Sequence, residues 1–242
     1  MKNSTSPLAA LIRGAACLGV VAALLPTGAR AADEATARGA RADFAGESAS
    51  RDTRQVADWI VDSADNAGKP FIVIDKRQAK VFLFRPDGRL DGAAPALLGL
   101  AIGDHTVPGI ADRPLSSIRP DERTTPAGRF VASLGRNLHE EILWVDYDSA
   151  VSLHRVVRGT PAERRAQRLA SATPLDNRIS YGCINVPAKF YEERVSPAFT
   201  GTEGIVYVLP EVRTLRQAFT SYYDVDDLAR RQDAMPEQSA AR

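Results

Sequence analysis

The chain has 242 residues, 44% hydrophobic and 25% charged, with a formal net charge of +1. That apolar fraction excludes wholesale disorder, and the near-zero charge gives no electrostatic case for nucleic acid as a partner. Two cysteines and three histidines, scattered through the chain, offer neither a disulfide scaffold nor a metal-ligand spacing, so no metal and no cofactor is expected.

The first 31 residues read as an address. Lys2 and Arg13 precede an apolar run from Gly14 to Leu25, Pro26 ends it, and Ala29-Arg30-Ala31 supplies a small-x-small cleavage site. The layout predicts a secretory signal over 1–31 and no stable membrane span after cleavage, hence an exported, periplasmic or envelope protein. Cleavage would remove Cys17 and leave Cys183 as the only cysteine. A lone thiol in an oxidising compartment is either buried and inert or deliberately reactive.

Residues 32–50 are rich in Ala, Arg, Asp and Ser and predict a flexible leader. Val56, Trp59 and Ile60 then recur at helical spacing, predicting an N-terminal helix within 51–69 that ends near Asn66 and Gly68. From Pro70 the period changes. Strands are expected at Phe71–Ile74 and Val81–Phe84, a turn at Pro86-Asp87-Gly88, and a further strand within Ala96–Ile102. Residues 103–126, with Pro108, Pro114, Pro120 and Pro126, predict a long loop that is either a lid or disordered.

Strands are expected to resume at Arg129–Ala132 and Leu143–Tyr147. Val151-Ser152-Leu153-His154 alternates, placing Val151 and Leu153 toward the core and Ser152 with His154 on the opposite face. Thr160-Pro161-Ala162-Glu163 has the form of a capping box that starts a basic helix running to about Ala170. Pro187 opens a helix toward Val195, Ile205–Leu209 is a buried strand, and 211–231 is one last helix before a polar tail.

The informative segment is Arg178-Ile179-Ser180-Tyr181-Gly182-Cys183-Ile184-Asn185-Val186-Pro187. Gly182 permits a sharp turn before the thiol, and the helix expected after Pro187 would place its positive end near Cys183, favouring thiolate and offering N–H groups to an oxyanion. The nucleophile needs a base, and His154, at the end of a strand on its polar face, is the candidate. His105 and His139 lie in polar segments that read as surface.

These residues resemble the L,D-transpeptidase catalytic domain of bacterial cell-wall enzymes. That family has a histidine at a strand end, a spacer, then a Ser-His-Gly-Cys stretch followed by an aliphatic residue and Asn or Arg. The matching positions are His154, Ser180, Gly182, Cys183, Ile184 and Asn185. Its Thr-Pro-x-Gly-x-Phe stretch is matched by Thr125 to Phe130, and its opening strand by Ile72 to Gly88. The resemblance covers roughly residues 70–210. It departs at Tyr181, where the family usually has a second histidine, and in a longer spacer before Cys183.

The resemblance implies a mainly β, α+β fold of two packed mixed sheets with flanking N- and C-terminal helices, a catalytic domain over 70–210, and a C-terminal helix and tail over 211–242. It implies peptidoglycan stem peptides as partners, with a tetrapeptide donor and an amine acceptor. Cys183 would attack the donor carbonyl and His154 would move the proton. The Arg155 carbonyl would orient the imidazole, and the Gly182 and Cys183 N–H groups would hold the oxyanion. Ser180 and Tyr181 would shape the site. Asn185 would order the turn or contact substrate, and Arg178 would grip a substrate carboxylate. Trimming of the stem by water, or a wall-binding module with a relic cysteine, are the alternatives. Other cysteine acyl-transfer enzymes fit less well: sortases approach through Thr-x-Thr-Cys, which is absent, and papain-like peptidases place cysteine before histidine.

Overall fold

A computed structural model describes residues 39–234; the expected signal segment 1–31 lies outside them, as does the start of the expected leader. Residues 39–50 are no loose leader. Phe44 is 5% exposed and meets Phe82 and Phe84 edge to face at centroid distances of 5.9 and 5.2 Å. The backbone around Asp43 bonds to Gly88 and Leu90. The buried ring contributes about 1.5–3 kcal/mol, and the Ala40 and Ala42 N–H groups, which donate to Asp62 and Asp58, and the Glu47–Lys80 pair help dock the segment.

Helix α1 (Arg51–Ser63) follows. Ser50 caps it by accepting the Thr53 N–H at 3.2 Å, and Ser50 and Thr53 hydroxyls both donate to Asp75, fastening the helix to the sheet. Its Val56, Trp59 and Ile60 stripe is fully buried, as the spacing predicts.

The sheet is built from β1 (Phe71–Asp75), β2 (Lys80–Phe84), β3 (Leu90–Pro95), β5 (Gly128–Asn137), β6 (Glu140–Asp146), β7 (Val151–Arg155), β9 (Ile184–Val186) and β10 (Gly204–Val208). Their order is β3-β2-β1-β10-β5-β6-β7-β9, eight strands of mixed direction. A small second sheet pairs β4 (Leu98–Gly99) with β8 (Arg178–Ser180). The two expected layers are therefore mainly two halves of one sheet that share β5. Residues 128–132 of β5 pair with β10, and 133–137 pair with β6. Ile72, Ile74 and Val206 from one half join Leu143, Leu153 and Ile184 from the other in one apolar core. Phe71, Val73 and Tyr207 face the opposite way, against α1. Strands β1 and β10 are thus covered on both faces, which is why they read as unbroken apolar runs.

Several expectations need correction. The strand expected within 96–102 shrinks to β4, and β3 forms in Leu90–Pro95, where Gly92 and Ala93 give little β signal. The segment 103–126 is neither featureless nor loose: it makes three 3-10 turns and is stapled by a forked Arg113–Glu122 pair with both contacts at 3.0 Å. The basic helix breaks at Arg164, whose φ is +49°, into a 3-10 turn (Pro161–Glu163) and helix α2 (Arg165–Leu169). After Pro187, helix α3 (Ala188–Phe190) runs through a π-turn (Tyr191–Val195) into α4 (Ser196–Phe199). The single helix expected over 211–231 is two, α5 (Leu215–Ala218) and α6 (Val225–Asp233), because Asp224 caps a new start by accepting the Asp226 and Asp227 N–H groups. Among the described residues no helix is long and apolar enough to cross a membrane.

Candidate active site

Strands β7 and β9 run parallel, with Leu153 beside Ile184 and His154 beside Asn185. This register brings the residue just ahead of β9, Cys183, to the polar face that Ser152 and His154 share. Ser152 Oγ donates to Cys183 Sγ at 3.6 Å, and the Ala150 carbonyl lies 3.8 Å from the sulfur. His154 Nδ1 donates to the Arg155 carbonyl at 2.7 Å, the orienting contact that the resemblance implies. That bond fixes the tautomer and leaves Nε2 for the thiol.

The electrostatics agree with a primed pair. Burial pushes the Cys183 thiol up, but the hydrogen bond and charge of His154, followed by the Ser152 contacts, outweigh it and bring the thiol below its ordinary range. Burial likewise pushes His154 down, and its bond to Cys183, the sulfur's charge and the Arg155 carbonyl more than reverse this, raising the imidazole. Each partner thus favours the other's charged form. The expected helix terminus plays no part, since β9 intervenes and α3 begins only at Ala188. Ile184 and Val186 are required in the core as strand residues, which displaces the helix from the thiol.

Gly182 holds a φ of +132°, and a Cβ there would lie 2.8 Å from the Thr124 carbonyl, so the sharp turn does require glycine. Its N–H is not free for an oxyanion, because it donates to Ser180 Oγ at 3.1 Å. Ser180 in turn donates to the Cys183 carbonyl at 2.6 Å and so braces the loop from within. The Cys183 N–H donates to no group among the described residues. The two-donor oxyanion site expected from Gly182 and Cys183 is therefore reduced to the Cys183 N–H.

Asn185 is 1% exposed. Its Nδ2 donates to the Cys183 carbonyl at 3.3 Å and its Oδ1 accepts from Arg165 at 3.1 Å. Of the two roles expected for it, ordering the turn is the one its contacts fit, and through Arg165 it ties the inserted α2 to the thiol loop. Arg178 is corrected outright. Its guanidinium is buried, pairs with Glu211 and donates to the Lys76 carbonyl at 2.9 Å, so none of it reaches the thiol. The Arg155 side chain also turns away, to Glu192 and over the Tyr191 ring. Of the long loop's arginines, Arg113 lines an opening that Tyr181 and Cys183 also wall, and Arg123 holds its guanidinium 4.0 Å above the Tyr181 ring while donating twice to the Ile118 carbonyl. No sequence signal marks either. Ser152 could have been found, since the alternation that selected His154 puts it on the same face.

Two openings flank the pair. One, about 90 Å³, is walled by Ile110, Leu115 and Ile118 of the long loop together with Tyr181 and Cys183. The other, about 370 Å³, lies on the His154 side, with Ser152, Leu138, Glu140 and Val157 on its walls. The long loop is thus part of the site, and its Thr106 hydroxyl meets Ser149 at 2.6 Å beside the thiol.

No protein-family model and no curated protein sequence matches the chain. Solved structures do. One is the L,D-transpeptidase (residues 123–326) from Xylanimonas cellulosilytica DSM 15894, at 12% identity over 58% of this chain and 60% of that one, TM-score 0.35. Another is the LD transpeptidase LdtMt1 in complex with imipenem, at 16% identity over 58% of each chain, TM-score 0.32. A third is the catalytic domain from the E. faecium L,D-transpeptidase, at 17% identity over 59% of this chain and 98% of that one, TM-score 0.33. The chain thus spans about three fifths of the first two. At these identities and scores the likeness carries no functional argument, and the chemistry rests on the side chains.

Proposed function

We propose that the protein is a cysteine acyltransferase of the L,D-transpeptidase type, acting on peptidoglycan stem peptides in the cell envelope after export. The observation that carries this reading is the Cys183–His154–Arg155 carbonyl arrangement, in which thiol and imidazole stabilise each other's charged forms. The two sequence motifs in their family order, Thr125 to Phe130 and Ser180 to Asn185, supply the substrate class.

In this reading His154 Nε2 takes the thiol proton and the Cys183 thiolate attacks the carbonyl at the third stem position. The carbonyl electron pair moves to oxygen, where the Cys183 N–H receives it. The C–N bond to D-alanine then breaks, with the proton on His154 passing to the leaving amine, and a thioester remains. An acceptor amine attacks the thioester, returns its proton through His154, and restores the thiol. An opening of about 370 Å³ on the His154 side falls within the size of small-ligand sites and offers room for a substrate beside the base.

The test is mass spectrometry of the protein incubated with disaccharide-tetrapeptide, with Cys183→Ala as control. Cysteine-dependent loss of D-alanine with dimer formation supports transpeptidation. Loss of D-alanine with only monomeric tripeptide makes the enzyme a trimming carboxypeptidase on the same chemistry. No change in either sample overturns the proposal.

A further inference from the structure

Thr125 is fully buried, and its hydroxyl joins two backbone groups: it accepts the Gly99 N–H at 2.9 Å and donates to the Gly182 carbonyl at 2.8 Å. That carbonyl is one end of the peptide unit whose other end is the Cys183 N–H. A trans peptide is planar, with C=O and N–H pointing in opposite directions. Holding the Gly182 oxygen therefore fixes the direction of the Cys183 N–H, the donor left for an oxyanion. Gly182 needs such a clamp, because a glycine at positive φ is the residue least able to fix its own peptide plane.

Thr125 is itself held from behind. Lys76 Nζ, with no exposed surface, donates to the Thr125 carbonyl at 2.9 Å, to the Gly103 carbonyl at 2.5 Å and to Asp104 at 2.9 Å. Both ends of the long loop are thereby pinned to one ammonium. We infer that Thr125, anchored by Lys76, is a positioning residue that aims the Cys183 N–H at the oxyanion; the inference rests on the acyl-transfer part of the proposed function.

The test separates two reactions of one thiol. Attack on p-nitrophenyl acetate forms a C–S bond, moves the carbonyl pair onto oxygen and expels p-nitrophenolate, so it needs the oxyanion donor. Alkylation by iodoacetamide displaces iodide and needs only the thiolate. Thr125→Val removes the hydroxyl at nearly constant volume, and Thr125→Ser restores it. The expected result for Thr125→Val is acylation slowed about tenfold to a hundredfold, short of outright loss of an oxyanion donor. Its alkylation rate across pH stays within about twofold of the parent, since thiolate formation is untouched. Thr125→Ser recovers most of the acylation rate. If the valine variant does not fold, Thr125→Ala, which leaves room for water at the two orphaned groups, is read in the same way. Unchanged acylation, an equal loss of both reactions, or failure of serine to rescue would overturn the inference. Absence of Cys183-dependent acylation in the parent protein overturns acyl transfer itself and this inference with it. Failure only with the disaccharide-tetrapeptide bears on substrate and leaves this result standing.

Discussion

Lys76→Met is the perturbation whose cost can be worked from contacts. The fully buried ammonium makes three hydrogen bonds and a 3.4 Å ion pair with Glu211. Methionine fills the same space but leaves the Gly103 and Thr125 carbonyls without a donor, at about 1–3 kcal/mol each. The carboxylates keep other partners. Glu211 retains Arg178, and Asp104 retains the N–H groups of Glu211, Val212 and Arg213 at 2.7–3.0 Å. The sum is therefore near the lower range for breaking a buried ion pair, about 3–5 kcal/mol. Total stabilities are about 5–15 kcal/mol, so the variant should fold with Tm lowered by about 6–20 °C. Circular dichroism melting at neutral pH, with urea unfolding to check that the slope is unchanged, measures it. Combining Lys76→Met with Asp104→Asn should cost less than the two separately by about 1–3 kcal/mol, as residues in one network do. A Tm loss under about 3 °C, or a gain, would mean that the buried charge confers nothing that a thioether cannot, and would refute the reasoning. The acid limb offers a second check. Burial pushes Asp104 up, but the Arg213 and Glu211 N–H groups and then Lys76 hold it well below the usual carboxylate range. A depressed carboxyl contributes stability that is present above the unfolded-state value and is lost as pH falls toward the folded one. Asp104→Asn should therefore flatten the acid-side loss of stability.

His154→Gln should move the pH profile of Cys183 alkylation upward, because burial then acts on the thiol without the imidazole to oppose it. Iodoacetamide kinetics across pH should show a rate at neutral pH down about tenfold or more, and an unshifted profile would exclude the thiol–imidazole pair. Phe44→Ala should cost about 3–4 kcal/mol, as buried Phe truncations do, and expose the segment before α1 to limited proteolysis. A cost under about 1 kcal/mol would return residues 39–50 to the leader that composition suggests.

What was legible followed short-range pattern. The Val56–Trp59–Ile60 stripe gave α1, the double-faced apolar runs gave β1 and β10, and the alternation at Val151–His154 put Ser152 and His154 on one face of β7. What was not legible depended on pairing at a distance. Phe44, with the bonds of Ala40, Ala42 and Glu47 to distant partners, orders a segment whose composition is polar. Arg178 lies close to Cys183 in sequence, but β8 aims it at Glu211 and Lys76, which no local pattern encodes. Arg123 meets Tyr181 only because the long loop folds back over the thiol. The helix expected after Pro187 does form, but its start stands off from Cys183 because the parallel partner of β7 had to be a strand. Proximity in sequence is a weak guide to a site assembled from strand ends and loops.

The parallel pairing of β1 with β10 also has a consequence in time. Phe71 lies beside Ile205, so β1 waits about 130 residues for its neighbour. A chain that emerges N-terminus first, from a ribosome or across a membrane, leaves a five-residue apolar strand with an open edge until residue 204 has followed. The hairpin with β2 can cover its other edge early. A nascent chain arrested before residue 204 would therefore expose a half-built sheet able to pair with its own copies, and a holding factor that binds short extended apolar segments would find its target between Phe71 and Asp75.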